Sequence, residues 1–471
     1  MAIVGRVREI DRLMRLCESP RAEFAVVYGR RRVGKTYLIR EFFKNSFAFY
    51  ATGVAGGNAR VQLAGFNESL RRAGGVAAGD WFEAFRELVR LLERDNVSRD
   101  AVSGKRVVFI DEMPWLASPR TDFMPAFELF WNQWGSAQRD LLLIVCGSAS
   151  SWIVKNLFKN RGGLHNRVTA RIWLEPFTLA ECEEYYRVNG HVLSRAQMIE
   201  IYMVFGGIPY YLDLLDRRCG LVQNIDNLCF SRSGELTSEF DELYHSLFRK
   251  ADHHVAIVRT LGTKAKGLDM QEISNATGIA KGGTLTSLLD ELEASGFIRR
   301  YAPFEKKRRG SLYQLVDPFS LFYLKFMDKR APSDFWSKNH QTSRVNAWRG
   351  YAFELVCLLH ERQIRQALGI AAVSADVCSW RSQDSDPGAQ VDLVIDRADG
   401  IINLCELKWS QGEYAINKAY DLQLRNKLVA FSQETRTKKA LHLTMVTPFG
   451  VKRNAYHGVL QSEITADALF A

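Results

Sequence analysis

Long apolar runs are missing from this 471-residue chain. The longest, such as Leu141-Leu142-Leu143-Ile144-Val145-Cys146, fall far short of the roughly 20 residues that a bilayer-spanning helix requires. No leader pattern opens the chain, because Met1-Ala2-Ile3-Val4-Gly5-Arg6 reaches charge without an apolar segment. Cysteine is sparse and scattered: eight residues, no C-x-x-C pair, and several inside apolar stretches (Cys146, Cys357, Cys405). That pattern excludes a zinc ribbon or a disulfide framework and predicts reduced core thiols. Together these absences predict a cytoplasmic protein with no membrane partner. Charge is nearly balanced, 63 basic against 53 acidic residues for a net +10, a surplus compatible with nucleic acid without establishing it. The length predicts two to four domains.

What is present begins with Gly29-Arg30-Arg31-Arg32-Val33-Gly34-Lys35-Thr36, a complete G-x-x-x-x-G-K-[ST] loop. Apolar Phe24–Tyr28 reads as a buried strand before it, and Tyr37–Phe43 has helical spacing after it. About 0.02 chance matches are expected in a chain of this size, so the motif in this context predicts a nucleotide site. Its glycines let backbone N–H groups face phosphate oxygens at a helix N-terminus. Lys35 is expected to reach the β- and γ-phosphates of ATP, and Thr36 to ligate Mg²⁺. The helix following Val4-Gly5-Arg6 has two readings: a plain surface helix, or a segment packed over adenine.

Downstream, Phe47–Thr52 reads as a second strand, with helices near 59–73 and 81–95. Arg106–Glu112 is a fully apolar run ending in two acids, the composition of a buried parallel strand whose carboxyl end meets ligand. Asp111 is expected to hold the magnesium, directly or through water, and Glu112 to polarise the attacking water. Leu141–Ser148 gives another strand. Ser148 at its end either senses the γ-phosphate or caps a helix over 150–158. The turn Arg161–Arg167 holds two arginines, of which Arg167 is the candidate arginine finger, in cis or on a neighbouring subunit, against the reading of a solvated arginine. A strand at 172–177 is expected to close the sheet. Residues 178–249 are helical in pattern, punctuated by Gly206-Gly207-Ile208-Pro209, and predict a helical lid.

These motifs together resemble the archaeal-type ATPases, from the AAA+-related branch of P-loop proteins that includes the signal-transducing STAND ATPases. The resemblance covers roughly the first half of the chain. It implies an ATP-binding core with a lid, often a homo-oligomer, that couples nucleotide state to attached domains. In that family a winged helix and a nuclease-like C-terminal domain commonly follow.

The second half can be read independently. Helical stretches at 255–261, 270–278 and 284–293 precede two strand-like segments, 297–301 and 311–316, with Glu305-Lys306-Lys307-Arg308-Arg309-Gly310 between them. This order predicts a winged helix over 250–328. A basic wing tip suits phosphate contact with DNA, whereas Asp290, Glu291 and Glu293 on the third helix oppose it. Docking of a protein partner therefore stands beside DNA binding. The aromatic-rich Asp317–Phe326 reads as packing.

The last domain is expected over 329–471. Gly350–Leu359 predicts an apolar helix carrying Glu354. Val391–Asp396 and Ile401–Trp409 predict a hairpin bearing Asp392, Asp396, Glu406 and Lys408. With period two, Asp392 shares a face with Asp396, and Glu406 shares one with Lys408. An E-x-K triplet alone means nothing, since about three [DE]-x-K matches are expected by chance. The hairpin, Asp392 and Glu354 give it weight. This constellation resembles the PD-(D/E)xK nucleases, although the proline of that motif is absent before Asp392. The resemblance implies Glu354, Asp392 and Glu406 as ligands of Mg²⁺ or Mn²⁺, and Lys408 as the residue that orients or activates water. Gln423 or Lys427 on the next helix are candidates for substrate-backbone contact. A salt-bridged, inactive platform of the same fold is the opposing reading.

The expectation is thus a multidomain α/β protein: P-loop ATPase core 1–177, lid 178–249, winged helix, and nuclease-like domain. Functionally, nucleotide state gates a metal-dependent nuclease. The alternative is a non-cleaving, oligomeric ATP-driven switch that binds DNA or a protein.

Overall fold

The computed structural model describes residues 3–117, 121–159, 162–248, 251–304, 311–329, 331–382 and 388–471. The predicted wing tip, 305–310, and Arg161 lie outside the described residues. The chain forms two compact units, one of residues 1–176, 243–251 and 290–296, the other of 177–242, 252–289 and 297–471.

The first unit is built on five parallel strands: β1 (Glu23–Gly29), β2 (Phe49–Thr52), β3 (Arg106–Asp111), β4 (Leu141–Gly147) and β5 (Ala170–Leu174). They lie in the order β2-β3-β4-β1-β5. Every residue of β3 and β4 is buried, which is why both segments read as continuous apolar runs rather than as alternating ones. Aromatic side chains fill one face, Phe24 packing edge-on to Phe127 at 5.7 Å and Trp81 to Phe123 at 4.9 Å. The helices Ala59–Arg72 and Trp81–Leu92 start on side-chain caps from Asn58 and Asp80. β5 runs over 170–174 rather than the expected 172–177, because its pairing with β1 starts at Ala25–Ala170 and ends at Gly29–Leu174.

The second unit opens with helices. Leu179–Val188 and Arg195–Phe205 each begin with a capping box, on Thr178 and Ser194. Farther along the chain three helices, Ala251–Gly262, Met270–Thr277 and Gly283–Ala294, the last of which passes into the first unit from residue 290, precede an antiparallel pair, β6 (Ile298–Tyr301) and β7 (Leu312–Leu315). Pro318–Phe322 is entirely buried. Phe322 and Phe326 pack against Trp336 and Trp348 at 5.2–5.4 Å, so the aromatic segment is core.

A second sheet contains β8 (Ala375–Arg381), β9 (Gln390–Arg397), β10 (Ile401–Leu407), β11 (Ala440–Thr447) and β12 (Ser462–Thr465), in the order β12-β11-β10-β9-β8. β8, β9 and β10 are antiparallel in succession, whereas β10, β11 and β12 run parallel. The helix Lys418–Thr435 supplies the crossover from β10 to β11 that a parallel pair requires. The sequence reading found β9 and β10 but not β8, β11 or β12.

Candidate functional site

Two clusters of chemistry-bearing side chains stand out, one in each unit. The first is where β1 ends. Gly29 has φ +143°, and a Cβ there would lie 2.3 Å from the Leu174 carbonyl oxygen, so only glycine lets the chain leave the sheet at this point. Arg32 (φ 70°) and Gly34 (φ 90°) complete the curl before the helix Lys35–Phe42 begins. The Lys35 ammonium folds back over the loop, donating to the carbonyls of Gly29 (3.1 Å) and Arg30 (2.7 Å). Its burial pushes its pKa below the ordinary lysine range, against the pull of Cys146, Glu112 and Asp111.

Beside it, the Thr36 hydroxyl donates to Asp111 at 2.8 Å, joining the loop to the end of β3. Burial lifts the Asp111 carboxyl above its usual range, with the Thr36 bond acting the other way. Glu112, just past the strand, adopts a left-handed backbone (φ 46°), and its N–H donates to the Asp111 carboxylate at 2.9 Å. Its own carboxylate accepts from the Ser148 hydroxyl at 2.7 Å and the Ser148 N–H at 3.2 Å. The helix-cap reading of Ser148 is therefore corrected: the helix Ser150–Ile153 begins after Ala149 without a side-chain cap, because the hydroxyl is committed to Glu112. Arg167 is exposed in the turn before β5 and makes no side-chain hydrogen bond or ion pair among the described residues. Arg30 is buried, and Arg31, Arg32 and Val33 complete the loop between the two glycines.

Sequence reasoning missed Arg6. Its backbone is left-handed (φ 58°), and its guanidinium donates to the carbonyls of Glu175 (2.6 Å) and Val33 (3.0 Å). Arg6 thus pins the phosphate loop to the segment following β5. The usable signal was the charged residue after Gly5 ahead of an amphipathic helix, but its long-range partners leave no local trace.

The second cluster lies in the second unit. β9 and β10 pair with Cys405 opposite Leu393, and continuing that register by one residue sets Asp392 opposite Glu406. The helix Ser343–Leu359 brings Glu354 to the same place, its neighbour Phe353 packing against Trp409 at 5.6 Å. Burial, followed by the charge of Asp392, pushes the Glu354 carboxyl up to about 7. Glu354 makes no hydrogen bond or ion pair among the described residues, and with Lys266 and Asp392 it lines a cavity of about 190 Å³.

The other two carboxylates are held by lysines. Glu406 is paired with Lys427, lies 3.8 Å from Lys408 and accepts from the Tyr420 hydroxyl at 3.0 Å. Asp392 is paired with Lys266 at 3.0 Å and accepts from Gln390 at 2.5 Å. Three oxygen-donor side chains, one of them unpartnered, are chemically suited to a hard divalent ion. In this side-chain arrangement, however, no three acidic, histidine or cysteine groups among the described residues converge closely enough to hold one.

Two expectations are corrected here. Lys427, expected to be free for a substrate backbone, is instead paired with Glu406, because the helix Lys418–Thr435 turns it onto that carboxylate. Asp396 shares the strand of Asp392 but pairs with Lys439 at 2.5 Å, four residues and so two strand periods too far along β9 to join the cluster. Gln423 is exposed. On the third helix of the preceding segment, Thr284, Ser287 and Asp290 are exposed, so that surface is mixed rather than basic. No helix among the described residues is long and apolar enough to cross a membrane.

Against known proteins, residues 3–215 match the family model described as an ATPase domain predominantly from Archaea. The chain therefore carries an archaeal-type ATPase domain with a parallel α/β sheet, and its phosphate loop lies within the matched segment. An uncharacterised protein of Methanocaldococcus jannaschii is 23% identical over 442 residues, covering 90% of this chain and 92% of that one. An uncharacterised ATP-binding protein of the same organism is 45% identical over 42 residues, 9% of this chain and 71% of that one. Among solved structures, the Walker-type ATPase of Pyrococcus abyssi aligns with 69% of this chain and 96% of its own, at 18% identity and a TM-score of 0.48.

Proposed function

We propose that ATP turnover in the first unit controls a divalent-metal-dependent nuclease site in the second, with DNA as substrate. The supporting observation is that Glu354, Asp392, Glu406 and Lys408, from one helix and two paired strands, gather at one end of the second sheet. The same chain carries a complete phosphate loop.

At the nucleotide site, the loop from Gly29 through Thr36 cradles the phosphates of ATP, with Lys35 as the mobile cation. Its two carbonyl partners are weak competitors for an ammonium against a charged phosphate oxygen. Thr36 and Asp111 hold Mg²⁺, and Glu112, oriented by Ser148, accepts the proton of the attacking water. Arg167, exposed and unpaired among the described residues, serves a neighbouring subunit. At the second site, Glu354, Asp392 and Glu406 would hold Mg²⁺ or Mn²⁺ once Lys266 and Lys427 release Asp392 and Glu406, and the ion would supply neutralisation of charge on a phosphate. Lys408 places a cation beside the same phosphate and orders water. The segments 178–249 and 250–328 serve as lid and as a DNA-contacting winged helix.

One observation favours a second reading, a non-cleaving ATP-driven switch. Asp392 and Glu406 are already neutralised by Lys266 and Lys427, as on an inactive platform. Incubation of the protein with supercoiled and linear DNA, with Mg²⁺ or Mn²⁺ and with or without ATP, separates the two. Metal-dependent cutting that disappears in Glu406→Ala supports the nuclease. Equal inertness of wild type and variant across substrates supports the switch.

A further inference from the structure

The second site contains a cation that its motif does not include. Lys266 lies in the turn between the helices Ala251–Gly262 and Met270–Thr277, more than 120 residues before Asp392 in the chain, yet its ammonium is 3.0 Å from the Asp392 carboxylate. The turn that carries it is held by its backbone. The Tyr301 hydroxyl donates to the Lys266 carbonyl at 2.5 Å. The carbonyl of Ala265 accepts from Gln314 at 2.7 Å and from Tyr351 at 3.2 Å. Leu268 and Tyr313 exchange backbone hydrogen bonds at 2.8 and 2.9 Å.

Between them Gly267 has φ +80°, and a Cβ there would lie 2.3 Å from the Tyr313 carbonyl oxygen. Only glycine permits this closeness. Anchors from both strands of the β6–β7 hairpin and from the helix that carries Glu354 thus fix where Lys266 emerges. Its neighbour Lys264 has a different role, pairing with Glu272 at 2.7 Å.

We infer that Lys266 is a built-in counter-cation of the carboxylate cluster, occupying Asp392 in competition with a divalent metal ion, so that metal binds fully only when this lysine is displaced. Two like charges cannot share one carboxylate without mutual repulsion, and the lysine is tethered while the metal must be supplied from solution. This inference rests on the nuclease-like reading of the site and adds to it a residue that sets metal affinity. Because the turn is bonded to the hairpin, displacement of that hairpin would also withdraw Lys266.

The test is calorimetric titration of Mn²⁺ into the full-length protein, comparing wild type with Lys266→Met, Lys264→Met, Asp392→Asn and the double variant Lys266→Met/Asp392→Asn. Asp392→Asn and the double variant are expected to lose the binding. Lys266→Met is expected to bind Mn²⁺ at least about threefold more tightly, the scale of a half-exposed ion pair, while Lys264→Met matches wild type. Tyr301→Phe, which loosens the turn and leaves the lysine in place, should tighten binding by a smaller factor. Equal affinity of wild type and Lys266→Met, with Asp392→Asn still inactive in binding, overturns the counter-cation and leaves the metal site standing. Absence of binding in every variant overturns both. A gain for Lys264→Met equal to that for Lys266→Met reduces the effect to general charge and overturns the specific role.

Discussion

The two clusters both concentrate charge, by different means. At the phosphate loop the cation and the backbone that cradles it are near one another in sequence. Lys35 bonds to carbonyls five and six residues earlier, whereas Thr36, on the helix after the loop, reaches Asp111 at the end of β3, which β4 separates from β1 in the same parallel sheet. The carboxylate cluster is assembled from Lys266, Glu354, Asp392, Glu406 and Lys427, side chains spread over more than 160 residues. Local assembly makes the first site compact and legible. The second depends on tertiary packing at every member, and packing brought in lysines that no spacing rule anticipates.

The largest effect should come from breaking the first site at its cation. Lys35→Ala is expected to reduce ATP turnover by about 10²-fold or more, measured as phosphate release. Thermal stability should hold, since the change removes a buried charge and leaves two carbonyls that the loop can present to solvent. A melting temperature that collapses along with turnover would show that Lys35 is structural.

Next is the second site. On the proposed nuclease reading, Asp392→Asn is expected to lower Mn²⁺-dependent cutting by about 10²-fold or more, while leaving ATP turnover unchanged. If ATP turnover falls equally, the separation of the two sites breaks down.

Ser148 sharpens the comparison inside the first site. Ser148→Ala removes the shorter of two bonds orienting Glu112, worth about tenfold for a hydrogen bond to a charged group. The expected outcome is a fall of that size in kcat with KM unchanged. A raised KM at constant kcat would return Ser148 to the role of a phosphate sensor.

The smallest effect concerns the packing on which the second unit depends. His360 is buried. It accepts from the Leu179 N–H at 2.9 Å, and its other ring nitrogen is 2.8 Å from the Val356 carbonyl. Burial pushes its pKa down to about 4, below the roughly 6.5 of an unfolded histidine. Between those values the unfolded chain binds more protons than the folded one, so stability is full above about pH 6.5 and is lost as pH falls toward 4. A melting temperature measured from pH 7.5 to 4.5 should fall by several degrees more in wild type than in His360→Asn, which cannot titrate.

Legibility followed the same division. Phe24–Tyr28, Gly29–Thr36 and Arg106–Glu112 were readable because burial on both strand faces produces unbroken apolar runs and because a loop that binds phosphate must place glycines at fixed offsets. β9 and β10 were readable as an alternating pair around a short turn. β8, β11 and β12 were not: Ala375–Arg381 and Ser462–Thr465 mix polar and apolar residues, and their place at the sheet's edges removes the need for a continuous apolar surface. The three-helix order before the hairpin was visible through Gly278, whose left-handed backbone ends Met270–Thr277.

By itself, then, the sequence determined the nucleotide-binding loop, the acid pair at the end of β3, the second sheet's central hairpin and the candidacy of Glu354, Asp392, Glu406 and Lys408. Each depends on spacing that short-range backbone geometry enforces. Tertiary structure alone decided that Arg6 ties down the loop, that Ser148 holds Glu112, that Asp396 belongs to Lys439, and that Lys266 and Lys427 neutralise two of the three clustered carboxylates. Those pairings join distant segments, and an ion pair acts through space, wherever the folded chain brings opposite charges together, so it leaves no periodic mark in the sequence.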